Sequence, residues 1–277
     1  MSKNKLNLYQ IAYTKELLDN MEEGYLPLDN IKNDRQDWYE YWPIRSFFLN
    51  NEIRENEYYG FFSPRFKEKT GLSFNEVKHI ITSLPDHTDV ILFSPQPDMN
   101  AFFLNPFEQE NTYDPGFIEA CEVILECIGI KTNLSSIVMD SRNIVFSNYF
   151  IAKKDFWRQW FILCEKLYFI SEDTTHKGSI LLNKETNYRG NAPRKVFLME
   201  RIASLMMHLD KEWKVHAINP FNFAWSMSKL RLYPEQAIIS DALKIAYNTQ
   251  GYSEYLTAFA NIRNKFFIEP YSISTEN

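Results

Sequence analysis

The sequence predicts a single α/β domain, because short apolar β-prone runs alternate with amphipathic helical patterns along its 277 residues. The first run, Leu6–Ala12, leads at once into a helical pattern, as at the start of many nucleotide-binding α/β domains. Hydrophobic residues make up 45% and charged residues 24% of the chain, an ordinary globular mixture. With no repeat and no linker, we expect one domain over residues 1–277: a core over 1–210 and a helical C-terminal cap over 211–277.

The first half of the chain predicts three strands and three helices. Thr14 is expected to cap the first helix, and Ser73 with Glu76 forms a capping-box pattern before a later one. In order the elements are a strand over Leu6–Ala12, a helix over Tyr13–Asn20, a helix over Pro43–Asn50, a strand over Glu57–Ser63, a helix from Ser73 to Ile81 and a strand over Asp89–Phe93. The segment between the first two helices is an aromatic-rich loop, and long loops of this kind tend to be functional.

The second half predicts three long helices and one more strand. Trp157, Trp160 and Cys164 recur at helical spacing, which is typical of a core-facing stripe. The elements are a helix over Pro115–Ile128, a strand over Asn143–Ala152, a helix over Phe156–Ile170 and a helix over Arg194–Leu209. Shorter strand-like and helical pieces follow from Trp213 onward.

Charge and missing motifs exclude several classes of protein. The net charge of −6 disfavours a nucleic-acid partner, since phosphate contacts need a basic excess. The sequence lacks the glycine-rich dinucleotide and phosphate-loop motifs, the nucleophile-elbow motif of hydrolases and the common zinc motifs. A dinucleotide-binding enzyme, a phosphate-loop ATPase, a serine hydrolase and a zinc enzyme are therefore disfavoured.

Cysteine usage and hydropathy predict a cytoplasmic protein. Cys121, Cys127 and Cys164 show neither disulfide nor metal spacing, so we expect buried thiols in a reducing compartment. No apolar stretch of about 18 residues is present, which disfavours a membrane-spanning helix. The stretch FIAKKDFWRQWF mixes lysines with aromatic rings, so it fits either core packing or peripheral contact with the inner face of the inner membrane.

Two groups of residues follow predicted strands and suit a nucleotide. Gln10 and Tyr13 lie at the end of the first strand, where an amide and a phenol could read and stack a base; a plain core strand is the alternative. Arg65, Lys67 and Lys69 place three cations after the second strand, which would suit a diphosphate. A solvated helical face explains the same three charges.

The loop SPQPDMN after the strand DVILF supplies Gln96 and Asp98. Open parallel sheets bind ligands at the carboxyl ends of their strands. Asp98 is the one candidate ligand for Mg²⁺ or Mn²⁺ here, and a single carboxylate makes a weak metal site. Stabilisation of a leaving group by cations, without a metal, is therefore the better-supported alternative.

Glu200 and Arg201 lie inside an otherwise apolar helix. A charge in apolar surroundings is costly to bury unless it is paired or used. A carboxylate with raised proton affinity would serve as a general base for an acceptor hydroxyl, and Asp98 is the second candidate for this role. An internal ion pair that ties the helix to the sheet is the structural alternative.

Several longer strings resemble a bacterial glycosyltransferase-like family that is encoded among surface-polysaccharide genes. In order along residues 6–210 they are LYQIAYTKE, GYLPLDN, DWYEYWPIRSFFLNN, YYGFFSPRFKEKTG, DVILFSPQPDMNAFFLNPFEQ, PGF, FSNYFIAKKDFWRQW and FLMERIASLM. The elements SNYFIAKKDFW and FLMERIASL are also similar to those of capsular-polysaccharide glycosyltransferases with a GT-A-like fold. The resemblance implies a mixed, mostly parallel central sheet flanked by helices.

The resemblance also implies a glycosyltransferase that moves a sugar from a nucleotide-sugar donor to a glycan or lipid-linked acceptor of a capsule or lipopolysaccharide. Expected donor-binding residues are Gln10, Tyr13, Arg65, Lys67, Lys69 and Gln96. Expected acceptor-binding residues are Asn148, Tyr149, Arg201 and Trp38. Metal-dependent members carry an acidic pair that this chain lacks, which favours transfer without a metal. The alternative is a non-catalytic carbohydrate-binding or scaffolding protein on the same fold.

Overall fold

A six-stranded mixed sheet forms the centre of the protein in the computed structural model, which describes residues 5–188 and 191–266. Its strands are β1 (Leu6–Ala12), β2 (Leu26–Asp29), β3 (Tyr58–Phe62), β4 (Val90–Leu92), β5 (Phe150–Ala152) and β6 (Val215–Ala217), in the spatial order β2-β1-β3-β5-β4-β6. Only β5 is antiparallel to its neighbours, and the other described strands run in one direction.

Helices cover both faces of this sheet. In chain order they are α1 (Lys15–Asp19), α2 (Tyr41–Asn50), α3 (Phe66–Thr70), α4 (Phe74–Ser83), α5 (Pro97–Ala101), α6 (Pro106–Tyr113), α7 (Phe117–Cys127), α8 (Lys154–Glu172), α9 (Lys177–Leu182), α10 (Arg194–Leu209), α11 (Pro234–Gln250) and α12 (Ser253–Arg263). Among the described residues, none of these helices is long and apolar enough to cross a membrane.

Strand alternation divides the core into two clusters, one on each face of the sheet. Tyr59 and Phe61 of β3 join the larger cluster, whereas Tyr58 and Phe62 join the smaller one. A Cβ atom at Gly60 would come within 2.8 Å of the Ile151 side chain, so glycine lets β3 and β5 approach closely there. The larger cluster packs under α8 and α10, and the smaller one under α3 and α4.

The α/β class and the mixed, mostly parallel sheet predicted from the sequence are confirmed. The first strand and the helix over Arg194–Leu209 have the predicted bounds. The capping box is present: Ser73 accepts from the Glu76 backbone, and the Glu76 carboxylate accepts from Ser73 in return. The stretch FIAKKDFWRQWF supplies buried rings such as Trp157 and Trp160, so core packing accounts for it.

Two strand predictions were wrong. β2 lies inside the aromatic-rich segment interpreted as a loop; it is an edge strand with Pro27 and mostly exposed side chains, so it carries no hydrophobic alternation. The strand expected over Asn143–Ala152 is confined to Phe150–Ala152, because Ser147 and Asn148 have left-handed backbones that end the extended run. Apolar residues in the earlier part of that segment are buried within turns.

The C-terminal region belongs to the same packed structure as the core. It supplies α11 and α12, as expected for a helical cap, and also β6, which pairs with β4. Residues 267–277 of the predicted cap lie outside the described residues. Cys121 and Cys164 are buried as expected, whereas Cys127 is exposed at the end of α7, where its side chain faces away from the core.

Candidate functional site

Polar side chains gather at the sheet edge formed by the carboxyl ends of the parallel strands. Tyr13 follows β1 and Ser63 follows β3. Because β5 runs in the opposite direction, the residues that precede it reach the same edge. Ser147 and Tyr149 therefore lie beside the ends of β3 and β4, and the Tyr149 and Ser63 hydroxyls share a hydrogen bond of 2.5 Å.

Two glutamates form the centre of this edge, and we refer to Glu40 and Glu200 as the carboxyl pair. Glu40 directly precedes α2, and Glu200 lies in the middle of α10. Each of the two side chains is partly exposed to solvent. Even so, loss of hydration is the main influence on the proton affinity of both.

The environment raises the proton affinity of both members of the carboxyl pair. Burial, and next the charge of Glu200, raises the pKa of Glu40 to about 8, although Lys69 and a hydrogen bond with Ser63 oppose the shift. Burial also raises the pKa of Glu200, while the charges of Arg201 and Lys69 lower it. The charge of an ionised Glu200 thus helps to keep the proton on Glu40. A carboxylate base beside a protonated carboxyl acid is the arrangement expected of a proton-transfer site.

One cation and several hydroxyls surround the carboxyl pair. The Lys69 ammonium donates a hydrogen bond of 2.9 Å to Ser147 Oγ and lies 5.4 Å from the centre of the Tyr149 ring. Burial, and then the negative charge of Glu40, raises the pKa of the half-buried Tyr13 phenol. These groups place a cation, two phenols and two carboxyls at one edge of the sheet.

A network of mostly partly exposed ion pairs fixes the turn that leads to Glu40. Arg35 binds Asp37 at 2.9 Å and Glu172 at 2.6 Å, which joins this turn to α8. Lys195 of α10 binds Asp37 at 2.5 Å and lies 4.2 Å above the Trp38 ring. The turn is thus attached to the same helix that carries Glu200, so the separation of the carboxyl pair is set by packed elements rather than by a free loop.

Strained backbone residues border this edge. Tyr39, immediately before Glu40, has a φ of 47° and ψ of −129°. Ser147 and Asn148 have φ values of 61° and 52°, and Gln96 has a φ of 61°. Left-handed conformations are costly for side chains other than glycine and tend to occur at functional sites. Asn148 is also buried with its Oδ1 atom unpaired among the described residues, an uncommon state for a buried amide.

Asp98, expected as a base or metal ligand, lies in a closed hydrogen-bonded cluster. Its side chain is fully buried. One oxygen accepts from the Ser226 backbone at 3.0 Å, and the other accepts from the hydroxyls of Ser226 and Ser228. Both oxygens are therefore occupied by the protein. Gln96, two residues earlier, stays partly exposed, and its backbone N–H donates to the Ala224 carbonyl at 2.8 Å.

Arg201 and Trp38, two expected acceptor-binding residues, are part of the buried structure. Arg201 donates to the Pro106 carbonyl, Gln109 and Glu110, each at 2.8 Å, which joins α10 to α6. The Trp38 indole donates to Glu172 at 3.1 Å. The internal ion pair weighed for the neighbouring Glu200–Arg201 positions is thus present at Arg201, whereas Glu200 belongs to the carboxyl pair.

The three cations expected to bind phosphate differ in their burial and in their partners. Lys69 is half-buried at the carboxyl pair. Arg65 is exposed and binds Glu68 at 2.7 Å, and Lys67 is exposed and lies 3.3 Å from Glu22. Gln10 lies within β1 opposite Phe62, one position before the Ser63 edge.

Glu40 is the residue that sequence reasoning missed. It stands in the string DWYEYWP, between tyrosines, in the segment whose aromatic content had marked it as functional. A single carboxylate among rings is a visible signal. Its closeness to Glu200, which lies 160 positions later, comes only from the packing of α2 and α10 around the sheet.

The carboxyl pair and its neighbours can therefore exchange a proton with a ligand and offer it one cation. In the part of the chain that the structure describes, no three His, Cys, Asp or Glu side chains gather as a metal site. A cavity of about 40 Å³ lies at the opposite edge of the sheet, between Leu6, Tyr58 and Pro85, away from these residues. Comparisons with protein-family models, with curated proteins and with solved structures found no match for this chain.

Proposed function

We propose that this chain is a glycosyltransferase with a GT-A-like fold, which moves a sugar from a nucleotide-sugar donor to a glycan or lipid-linked acceptor. The observation that carries the proposal is the carboxyl pair beside Lys69 at the carboxyl edge of a mostly parallel sheet. Ligands of open α/β sheets bind at this edge. The resemblance of the sequence to transferases of bacterial surface-polysaccharide synthesis supports the same reaction, in the cytoplasm or at the inner face of the membrane.

Glu200 is the proposed base of the transfer. An ionised carboxylate with raised proton affinity can take the proton of an acceptor hydroxyl as that oxygen attacks the anomeric carbon. The new glycosidic bond forms while the bond from the anomeric carbon to the diphosphate oxygen breaks. In an inverting transfer the attack and the departure occur on opposite faces of the sugar, so base and leaving group need separate protein contacts.

Lys69 and Glu40 are the proposed partners of the leaving group and the sugar. The Lys69 ammonium is already half-desolvated and held by Ser147, so its charge would act strongly on a departing diphosphate. The protonated Glu40 carboxyl can donate a hydrogen bond where an ionised one would repel phosphate. Tyr13 offers a half-buried ring on which a base or sugar can stack.

Binding of a nucleotide is the first test. A transferase should be stabilised by the nucleotide part of its donor, by about 3 kcal/mol when the ligand is present at 100 times its dissociation constant. We expect at least one of the UDP, GDP, CMP and TDP compounds, as nucleotide or nucleotide sugar, to raise the melting temperature of the full chain. If none of them does, the non-catalytic carbohydrate-binding or scaffolding alternative is favoured.

The Glu200→Gln variant tests the chemistry once a donor is found. It keeps the size of the side chain but removes the base, so we expect turnover to fall by about 100-fold or more with an unchanged nucleotide-dependent shift in melting. Glu212→Gln, an exposed position beyond α10, is the matched control and should retain full turnover. Full turnover in Glu200→Gln, or loss of both turnover and folding, would contradict the assignment of a base.

A further inference from the structure

An exposed segment beside the site carries apolar and basic side chains together. We call Met227–Tyr233, with the sequence MSKLRLY, the Met227 loop. Met227 is 85% exposed, which is the highest value among the large apolar side chains of the described residues, and Leu232 is 67% exposed. Lys229 and Arg231 alternate with them and are exposed as well. A folded chain ordinarily hides such side chains, so their exposure requires an explanation.

The Met227 loop is held in this exposed form by the protein beneath it. The buried Asp98 carboxylate binds Ser226 and Ser228, which lie on either side of Met227. Ser228 also caps the following turn by accepting from the Leu230 backbone at 3.2 Å, and Leu230 itself is buried in the larger core cluster. These contacts hold the loop at several points, so the side chains of Met227 and Leu232 stay exposed to solvent.

The Met227 loop also borders the candidate site. Ala224, three residues before Met227, donates its backbone N–H to the Lys69 carbonyl at 2.8 Å. The Ala224 carbonyl in turn accepts from the Gln96 backbone at 2.8 Å. Two backbone hydrogen bonds thus join the segment just before the loop to residues at the carboxyl edge of the sheet. The segment that leads into the loop is therefore attached to the backbone of Lys69, whose ammonium belongs to the candidate site.

The charges of the Met227 loop indicate which kind of surface it binds. The whole chain has a net charge of −6, yet Met227–Tyr233 carries two cations and no acidic residue. Apolar side chains interleaved with lysine and arginine suit the boundary between acyl chains and anionic headgroups, where both contribute to binding. An apolar surface of a protein partner would leave Lys229 and Arg231 without counter-charges.

We propose that the Met227 loop docks this protein on a membrane surface that contains anionic lipid, by inserting Met227 and Leu232 among headgroups that Lys229 and Arg231 neutralise. Docking through this loop would hold the carboxyl pair beside the membrane, where a lipid-linked acceptor is presented. The presence of that acceptor rests on the function proposed above, whereas binding to lipid does not. Binding to vesicles without donor or acceptor therefore tests the docking surface separately.

Co-sedimentation of the full chain with vesicles is the experiment. We expect binding to mixed phosphatidylcholine–phosphatidylglycerol vesicles, weakened by salt, and little binding to phosphatidylcholine alone. Lys229→Glu with Arg231→Glu should weaken binding at least about tenfold. Met227→Ser with Leu232→Ser should weaken it about tenfold, because the inserted apolar area is lost. The changed residues are exposed, so melting temperatures should match the unsubstituted protein.

Helix α9 supplies a matched control, because Ile180 is 76% exposed and Lys177 is exposed one turn earlier. Lys177→Glu with Ile180→Ser should leave vesicle binding unchanged. The proposal is overturned if the unsubstituted chain ignores anionic vesicles, binds neutral ones equally well, or loses binding equally in the α9 control. It is also overturned if the loop variants bind as before, or if they change only self-association in sedimentation velocity, which would assign the surface to a second copy of the chain.

Discussion

At the residue scale, the carboxyl pair is a destabilising feature of the molecule. The charge of Glu200 acts on Glu40, and the residue before Glu40 has a strained backbone. Two carboxyl groups in a poorly hydrated place resist ionisation of both, and the strain of Tyr39 adds a further cost to folding. Such a combination is unexpected in a purely structural element, which supports a role in binding or proton transfer.

Replacement of Glu40 by glutamine should make the protein more stable at alkaline pH. The unfolded side chain loses its proton near pH 4.5, whereas the folded one keeps it until about pH 8. Unfolding therefore releases a proton between these values, so the contribution of Glu40 to stability decreases as the pH rises from 4.5 to 8. Glutamine removes this term. We expect Glu40→Gln to gain about 2 kcal/mol relative to the unsubstituted protein at pH 9, after allowance for partial exposure, and little at pH 5.

Urea unfolding at pH 5 and pH 9 measures this difference. Glu52→Gln changes an exposed carboxyl group near the end of α2 and serves as the control, with an equal effect at both pH values. A stability difference for Glu40→Gln that does not vary with pH would show that Glu40 ionises normally in the folded protein.

Glu200 and Glu40 also show what a sequence reveals about single residues. Glu200 is visible because a helical pattern with an apolar face carries a charge where none is expected. Glu40 lies in a segment with no regular period, so its burial cannot be inferred from spacing. The hydrogen bonds that occupy the Asp98 carboxylate come from Ser226 and Ser228, more than 120 positions away, so no local sequence pattern predicts them.

At the scale of elements, α10 and the turn before α2 are held together by charge. The Lys195–Asp37 contact has one side chain almost fully buried and the other 41% exposed. Burial lowers the pKa of Lys195, while Asp37 favours its charged form. Arg35 and Glu172 extend the contact to α8.

A double-mutant cycle should show that this contact couples the two elements. We expect Lys195→Met and Asp37→Asn to have an interaction energy of about 1 to 2 kcal/mol in urea unfolding. The exposed pair Lys154–Glu55, at 2.5 Å, is the control and should give less than about 1 kcal/mol. Equal coupling energies in the two cycles would mean that burial adds nothing to the Lys195 contact.

Long helices were predicted more accurately than short elements, which include the unpredicted helices α5, α6 and α9, for a physical reason. α10 is long, and its apolar residues recur with a clear period, so both ends can be read. β2 and β5 are 4 and 3 residues long, and neither shows an alternating pattern. Pairing with neighbouring strands sets their place in the sheet: β2 pairs with β1, and β5 lies between β3 and β4.

At the scale of the whole molecule, the C-terminal region completes the sheet and the supports of the site. β6 pairs with β4, and Ser226 and Ser228 donate hydrogen bonds to the buried Asp98 carboxylate. The buried Lys244 of α11 donates to the Asn100 and Phe103 carbonyls at 2.7 and 2.8 Å. Removal of this region would expose the β4 edge and leave a buried carboxylate without partners.

A chain that ends after Asp210 should therefore fail to fold cooperatively. The full chain is expected to unfold in one transition with coincident far-ultraviolet circular dichroism and tryptophan fluorescence. The fragment should show no sharp transition, because uncompensated burial of Asp98 alone costs several kcal/mol and the β4 edge is unpaired. A fragment with a native-like cooperative transition would show that residues 1–210 form an independent domain.

The reversed direction of β5 separates two parts of the chain that can change independently. The polypeptide meets the site before it enters this strand and leaves at the far side, where Lys153 donates to the Asp86 carbonyl at 2.5 Å. An insertion after β5 would leave the site geometry intact. One extra residue ahead of it would displace Ser147 relative to Lys69. The short approach to β5 is accordingly the place where small changes in length would alter ligand preference without altering the scaffold.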